Sequence, residues 1–554
     1  MVTLFDRHRA TLEAALAAAR ERGFWSAYPE VPSGKIYGET AKDEGLRAYE
    51  ARLNRSFALP GHPATGTVGA EVSPYGATLG ISYPAADAET LVAASREAAP
   101  AWAAATPEAR AGICIEILSR LNRMSFEMAN AVMHTTGQAF AMAFQAGGPH
   151  AQDRGLEAAA YAYAEMTRAP KSAVWSKPQG KGEPIVLEKH WRVVPRGVSL
   201  IIGCHTFPTW NSYPGQFASL ATGNTVIVKP HPGAILPLAL TVAVARAVLE
   251  EQGYPADVVL LAADRAEAPI TAALVMHPAV RIVDYTGSNA FGAWVRANAG
   301  DAEVYTEEAG VNSIVIAATD DFNGMCANIA FSLSLYSGQM CTSPQNIYVP
   351  RGGIDTNEGH KSFEEVAGGI AAAVDGLLGD PARAAGVCGA IANPTTLARV
   401  EAARGLGRIM RDSQPLAGLD GARSATPLII AVDGASGEGQ NEERFGPISF
   451  VIAVESGGEG IAKASALARQ KGAITAALYA TDETVIEEAV DAFASAGVNL
   501  SVNLTGNIFV NQSAAFSDFH VTGGNPAGNA SLTDTAFVAN RFRLAMWRRP
   551  KTGK

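Results

Sequence analysis

Four apolar runs, each separated from the next by a helical stretch, constrain this chain more than any other feature. They lie at 198–203, 225–229, 257–261 and 280–285, and the helical stretches between them fall near 210–221, 236–252 and 270–277. A strand that is apolar on both faces must be covered on both faces, so the order predicts a parallel sheet with helices on either side, a doubly wound α/β domain. The usual ligand at the carboxyl ends of such strands is a dinucleotide.

A second α/β region begins past Glu308, with strand candidates at 314–317, 345–349, 427–432, 450–453 and 476–479 and a helix at 325–336. Upstream of the first sheet, 171–192 mixes Pro, Gly and charge with alternating apolar positions, the pattern of a projecting hairpin. Leu12 and Leu16 in an Ala-rich run stopped by Gly23 predict an opening helix. Three units are therefore expected: 1–170 with 193–306 for a dinucleotide, 307–504 around a thiol, and 171–192 with 505–554 as hairpin and C-terminal extension.

That thiol is Cys341, in the segment FSLSLYSGQMCTSPQNIYVP (331–350). A sulfur at a turn between an apolar segment and a strand sits beside backbone N–H groups that lower its pKa and later stabilise an oxyanion, so Cys341 is the candidate nucleophile. A lone intracellular cysteine is also a common small packing residue. The surrounding pattern separates the two readings: Val226-Ile227-Val228-Lys229-Pro230, then Gly287-Ser288-Asn289-Ala290-Phe291-Gly292 after a strand, then Thr306-Glu307-Glu308-Ala309-Gly310, then Cys341, then Glu442-Glu443-Arg444-Phe445-Gly446-Pro447.

This set, in this order, resembles the aldehyde dehydrogenase superfamily, from about Ser73 to Gly528. The resemblance implies that Cys341 attacks an aldehyde, that hydride passes to a nicotinamide, and that a carboxylate directs water onto the thioester. Laying Gly310 and Ser313 on the family's E-x-G-x-x-S stretch puts Glu308 in the base position and leaves Glu307 a structural contact, next in line. Lys229 matches the residue that bonds the adenine-side ribose. Gly287, Ser288 and Gly292 match the pyrophosphate turn at a helix N-terminus, and Glu443 and Phe445 match the residues at the nicotinamide ribose and ring.

Two departures bear on chemistry. The slot of the family's oxyanion-hole Asn holds Thr206, a shorter donor, with Asn211 further on as a compensating amide or a wall residue. Where NAD-preferring relatives often carry a Glu, this chain has Pro232, preceded by His231, which could add a donor or a positive charge; NADP is therefore expected to be tolerated and preferred, with NAD the alternative. The Thr in the Asn slot, the sequence Thr522-Gly523-Gly524-Asn525-Pro526-Ala527-Gly528-Asn529 and the length of 554 residues resemble the PaaN-type enzymes of phenylacetic acid degradation. That branch implies a semialdehyde from aromatic-ring opening, free or coenzyme A-linked. In the family a hairpin and C-terminal extension build a subunit interface, which implies a homodimer or homotetramer.

A formal charge of −10 leaves no domain-scale excess of Lys or Arg for phosphate neutralisation, which argues against nucleic acid as a partner. The five cysteines, Cys114, Cys204, Cys326, Cys341 and Cys388, lack any C-x-x-C spacing, so neither disulfides nor a metal site is expected. No apolar run reaches the roughly 18 residues of a membrane span, and a cytoplasmic enzyme is expected. Three alternatives stay open: a coenzyme A-acylating dehydrogenase, a catalytically impaired cofactor-binding relative, and an acyl transferase.

Overall fold

The computed structural model describes residues 2–308, 310–434 and 439–551. The polar loop expected over 433–439 falls mostly outside them, as do the last residues of the basic tail. All four apolar runs form strands: β1 (Val198–Ile202), β2 (Val226–Lys229), β3 (Val259–Leu261) and β4 (Val280–Gly287), followed by β5 (Glu303–Glu308). Helices α1 (Pro208–Ala221), α2 (Leu236–Glu251), α3 (Thr271–Val275) and α4 (Asn289–Asn298) alternate with them. The third run is shorter than expected, because Asp257 lies in a 3-10 turn and binds Arg246 at 2.8 Å.

The strands pair in parallel in the order β3-β2-β1-β4-β5. The two-sided apolar pattern is explained by the cores: Ile201, Val226 and Val228 pack with Phe217 and Leu240 on one face, while Leu200, Ile202 and Ile227 pack with Leu91 and Val92 on the other. Strand order reverses between β1 and β4, so the loops after Ile202 and Gly287 splay apart and leave a crevice there.

The second sheet has β6 (Ser313–Ile316), β7 (Asn346–Pro350), β8 (Arg408–Arg411), β9 (Leu428–Asp433), β10 (Ile448–Val454), β11 (Thr475–Tyr479) and β12 (Asn499–Val502) in the order β8-β9-β10-β7-β6-β11-β12. Only β8 runs antiparallel to its neighbour. Ile314, Ile316, Ile347 and Val349 face one core with Ile329 and Leu333 of α5 (Phe322–Ser334), whereas Val315 and Tyr348 face another.

The hairpin Ser172–Gln179 and Gly182–Pro195 is largely exposed and is joined by Phe542–Pro550 into a three-stranded antiparallel sheet. The segment before that last strand does something else. Residues 525–529 bridge the two large sheets: Asn529 takes the Thr306 N–H at 2.7 Å and donates to Val304 O at 2.8 Å, while Asn525 donates to Ala473 O at 2.8 Å and Gly497 O at 2.7 Å. Ala527 O accepts the Glu308 N–H at 2.7 Å, covering the open edge of β5. No helix among the described residues is long and apolar enough to cross a membrane.

Candidate active site

A cavity of about 390 Å³ occupies the crevice at the strand-order reversal and faces the second sheet. The loop after β1 contributes Cys204, His205 and Thr206, the loop after β4 contributes Gly287 and Ser288, and the opposite wall carries Cys341, Glu443 and Phe445. Glu307 and Glu308 end β5 and line it too. Eight of the ten residues singled out in the sequence thus share one cavity; Lys229 and Gly292 stand outside it.

The thiol loop is held under constraint. Three successive residues, Tyr336 (φ 52°), Ser337 (φ 49°) and Gly338 (φ 64°), adopt left-handed backbone one residue beyond α5. Such a conformation costs about 1–2 kcal/mol for each residue with a side chain, and the surroundings impose it. The Tyr336 hydroxyl donates to Thr136 O, and Ser337 Oγ donates to Ala425 O at 2.9 Å and Cys388 O at 3.2 Å. Gln339 donates to Ala390 O at 3.0 Å and accepts from Ala392 N at 2.8 Å. On the far side of the thiol, Asn312 is a clamp absent from the sequence reading. Its Nδ2 donates to Cys341 O at 2.8 Å and Ser343 O at 3.0 Å, and its Oδ1 accepts from Ile474 N and Thr475 N.

The expected lowering of the thiol pKa is reversed. Burial, then Glu307, then Cys204 push Cys341 well above the usual thiol range, and its own backbone N–H opposes them only in part. A resting S–H therefore needs a proton acceptor before it can attack.

Glu307, expected to make a structural contact, stands beside the thiol: its Oε1 lies 3.9 Å from Cys341 Sγ and accepts from Asn211 Nδ2 at 2.7 Å. Asn211 is thus committed to this carboxylate. Glu308, buried to 2% exposure, binds Arg296, which also donates to Thr306 Oγ1 at 3.0 Å. Gly292 serves that pair: a Cβ there would lie 2.1 Å from Glu308 Oε1. A further group, His520, arrives from the C-terminal segment with Nε2 3.7 Å from Cys341 Sγ and 3.0 Å from Glu307 Oε1. It belongs to no periodic pattern; its one sequence signal is its place two residues before Thr522-Gly523-Gly524.

Lys229 is buried rather than presented to the cavity, its Nζ 2.7 Å from Pro230 O and 2.7 Å from Asp264 Oδ1. His231 stacks on His205 with ring centroids 4.4 Å apart, and its Nδ1 accepts the Gly233 N–H at 3.1 Å. Enclosure, the neighbouring His205 and Lys229 hold its pKa below the ordinary imidazole value. Of the two roles open to it, a donor or a positive charge, it keeps at neutral pH only the N–H donor. Thr206 lines the cavity with its carbonyl fixed by Gln138 Nε2 at 2.8 Å.

The lining matches a nicotinamide dinucleotide in its chemistry. Ser288 caps α4, leaving first-turn N–H groups for a pyrophosphate, and Asn289 Oδ1 nearby is buried without a protein partner. Glu443, pushed up to about 7 by burial against the pull of Arg399, is a carboxylate that could accept from ribose hydroxyls. A thiol facing such a cleft, at the strand-order reversal of a parallel sheet, is the arrangement of a dinucleotide-linked enzyme.

The aldehyde dehydrogenase family model matches residues 63–524. The NAD-dependent aldehyde dehydrogenase of Burkholderia multivorans is 54% identical with a TM-score of 0.98, each chain covering 100% of the other. The N-succinylglutamate 5-semialdehyde dehydrogenase of Burkholderia mallei is 27% identical over 422 residues, 73% of this chain and 79% of that one. At 19% identity, Thermus thermophilus 1-pyrroline-5-carboxylate dehydrogenase shares the fold with a TM-score of 0.73, over 96% of this chain and 99% of that one. The chain belongs to the aldehyde dehydrogenase family, an oxidoreductase acting on the aldehyde group with NAD(P) as cofactor.

Proposed function

We propose that the chain oxidises a semialdehyde to its carboxylic acid through Cys341, with the work of proton transfer divided between Glu307 and Glu308. The observation that carries this reading is the separation of the two carboxylates, one at the sulfur and one held by Arg296 in the same cavity. Glu307 Oε1 takes the thiol proton, and the thiolate forms a bond to the aldehyde carbon. The carbonyl π electrons move to oxygen, where the Cys341 N–H and the Thr206 hydroxyl are donors; loss of one such donor typically costs about 3 kcal/mol of transition-state stabilisation. A nicotinamide held by Ser288 and Glu443 would supply the acceptor for the hydride that leaves this carbon. Glu308, once released by Arg296, takes a proton from the water that opens the thioester.

The substrate belongs to the semialdehydes of aromatic-ring opening, as the PaaN-type resemblance implies, and the name of the Burkholderia mallei relative supports the semialdehyde class. Position 232 has no carboxylate to repel a 2′-phosphate, and His231 brings no charge to attract one, so we read both NAD and NADP as accepted. The exposed hairpin sheet, with Trp175, Ile185, Met546 and Trp547 uncovered, is the surface we assign to self-association as a dimer or tetramer in the cytoplasm. The test is a panel of semialdehydes with both cofactors, followed by reduced-nicotinamide absorbance. Turnover should be lost in Cys341→Ala, and acyl-CoA in place of free acid on adding coenzyme A would replace this reading by the acylating one.

A further inference from the structure

Cys341 Sγ, His520 Nε2 and Glu307 Oε1 converge on one point, and all three atoms lie within 4.8 Å of one another. Their separations are 3.7, 3.9 and 3.0 Å. Ligands about 2.0–2.3 Å from a tetrahedral zinc ion stand about 3.3–3.6 Å apart, so shifts of a few tenths of an ångström would suit one. The ring orientation argues in the same direction. A Cys-His-carboxylate relay uses both ring nitrogens, one for each partner. Here Nε2 alone faces both the sulfur and the carboxylate, while Nδ1 is 3.4 Å from Ser513 Oγ. Three donors of sulfur, imidazole and carboxylate type gathered at one place are a zinc donor set that leaves a fourth position for water.

Cysteine spacing could not reveal this, because the ligands come from β5, the thiol loop and the C-terminal segment, which meet only in the fold. The site is well supported. Asn211 fixes Glu307, and Trp210 packs edge-on against His520 with ring centroids 4.4 Å apart. The side chains of His520 and Glu307 retain 11% and 23% exposure, and Glu307 lines both the cavity of the thiol and a neighbouring pocket lined by His520 and Trp210.

We propose that Cys341, His520 and Glu307 form a reversible inhibitory site for a zinc-class divalent cation. Zn²⁺ forms a bond to Sγ and the thiol proton leaves to solvent. His520 binds through the Nε2 lone pair and stays neutral, with its N–H on Nδ1 toward Ser513. The sulfur lone pair is then engaged and cannot attack carbon, and a chelator restores it without any redox step. The inhibition, though not the metal binding, rests on the proposed role of Cys341.

The test uses the full-length reduced protein without aldehyde or cofactor. Co²⁺ serves as spectroscopic probe, and Zn²⁺ is scored by protection of Cys341 from iodoacetamide, read by peptide mass spectrometry. Expected are one Co²⁺ per chain with a thiolate-to-metal charge-transfer band, displacement by Zn²⁺, and protection reversed by EDTA. His520→Gln and, separately, Glu307→Gln should raise the Zn²⁺ concentration needed by at least roughly the tenfold that even an outer-shell change costs a metal site. Their folding is checked by thermal melts. Equal protection of Cys204 and Cys341, or unchanged Zn²⁺ binding in both folded variants, would overturn the proposal. If Cys341→Ala still oxidises aldehyde, the catalytic reading fails instead, while the wild-type cobalt spectrum continues to report on the site.

Discussion

Replacing Gly338 by alanine tests whether the left-handed turn before the thiol sets the position of the sulfur. The residue sits at φ 64°, where a side chain costs about 1–2 kcal/mol. In addition, its Cβ would lie 2.5 Å from Gly446 O and 2.8 Å from Gly446 C, both backbone atoms, where ordinary contact begins at 3.4 Å. One of the two loops, that of Gly338 or that of Gly446, must therefore retreat by roughly 1 Å. Gly338 is three residues from Cys341, and Gly446 follows Phe445 of the cavity wall. A displacement of that size at a reacting centre costs about 100-fold, or about 2.7 kcal/mol of activation free energy. The comparison is Gly253→Ala, at φ 78° with nothing within 4 Å of the added carbon. Both variants should melt lower than wild type, but only Gly338→Ala should lose kcat/KM by about two orders of magnitude. Equal kcat/KM in the two variants would show that the turn does not govern the sulfur.

Glu307→Gln should slow the first-turnover burst of reduced cofactor, whereas Glu308→Gln should keep the burst and stall afterwards; stopped-flow absorbance distinguishes them, and an unaltered burst in the first would move the thiol's proton acceptor elsewhere. Glu443 has its pKa raised to about 7, so it is protonated below that value and ionised above it. Cofactor binding, followed by fluorescence, should therefore tighten as pH rises through about 7, with the dependence lost in Glu443→Gln. Arg541, fully buried, holds Asp284 through two bonds of 2.7 and 2.6 Å; Arg541→Met leaves that carboxylate uncompensated and should cost about 3–5 kcal/mol in denaturant unfolding.

The first sheet was legible because parallel strands covered on both faces must be apolar at successive positions, and Leu200-Ile201-Ile202 and Val226-Ile227-Val228 satisfy that without reference to distant residues. The turn Gly287-Ser288 and the thiol were legible for a similar reason, since each lies where one local element hands over to the next. Less was available for groups whose role depends on partners far along the chain. Register could rank Glu308 above Glu307 but could not show that Arg296 would capture one and Asn211 the other. Lys229 follows a strand, yet Asp264 of a separate loop decides that its ammonium is buried. His520 and Asn312 lie in segments without periodicity, and only the folded chain brings them to the sulfur.

Covalent loading of the sulfur is the central claim, and intact-protein mass spectrometry of Glu308→Gln quenched after mixing with aldehyde and NAD(P) measures it most directly. The expected result is one acyl group per chain, mapped to Cys341 and released by hydroxylamine. Reduced cofactor formed without any adduct, or an adduct carried by Cys204, would contradict the account.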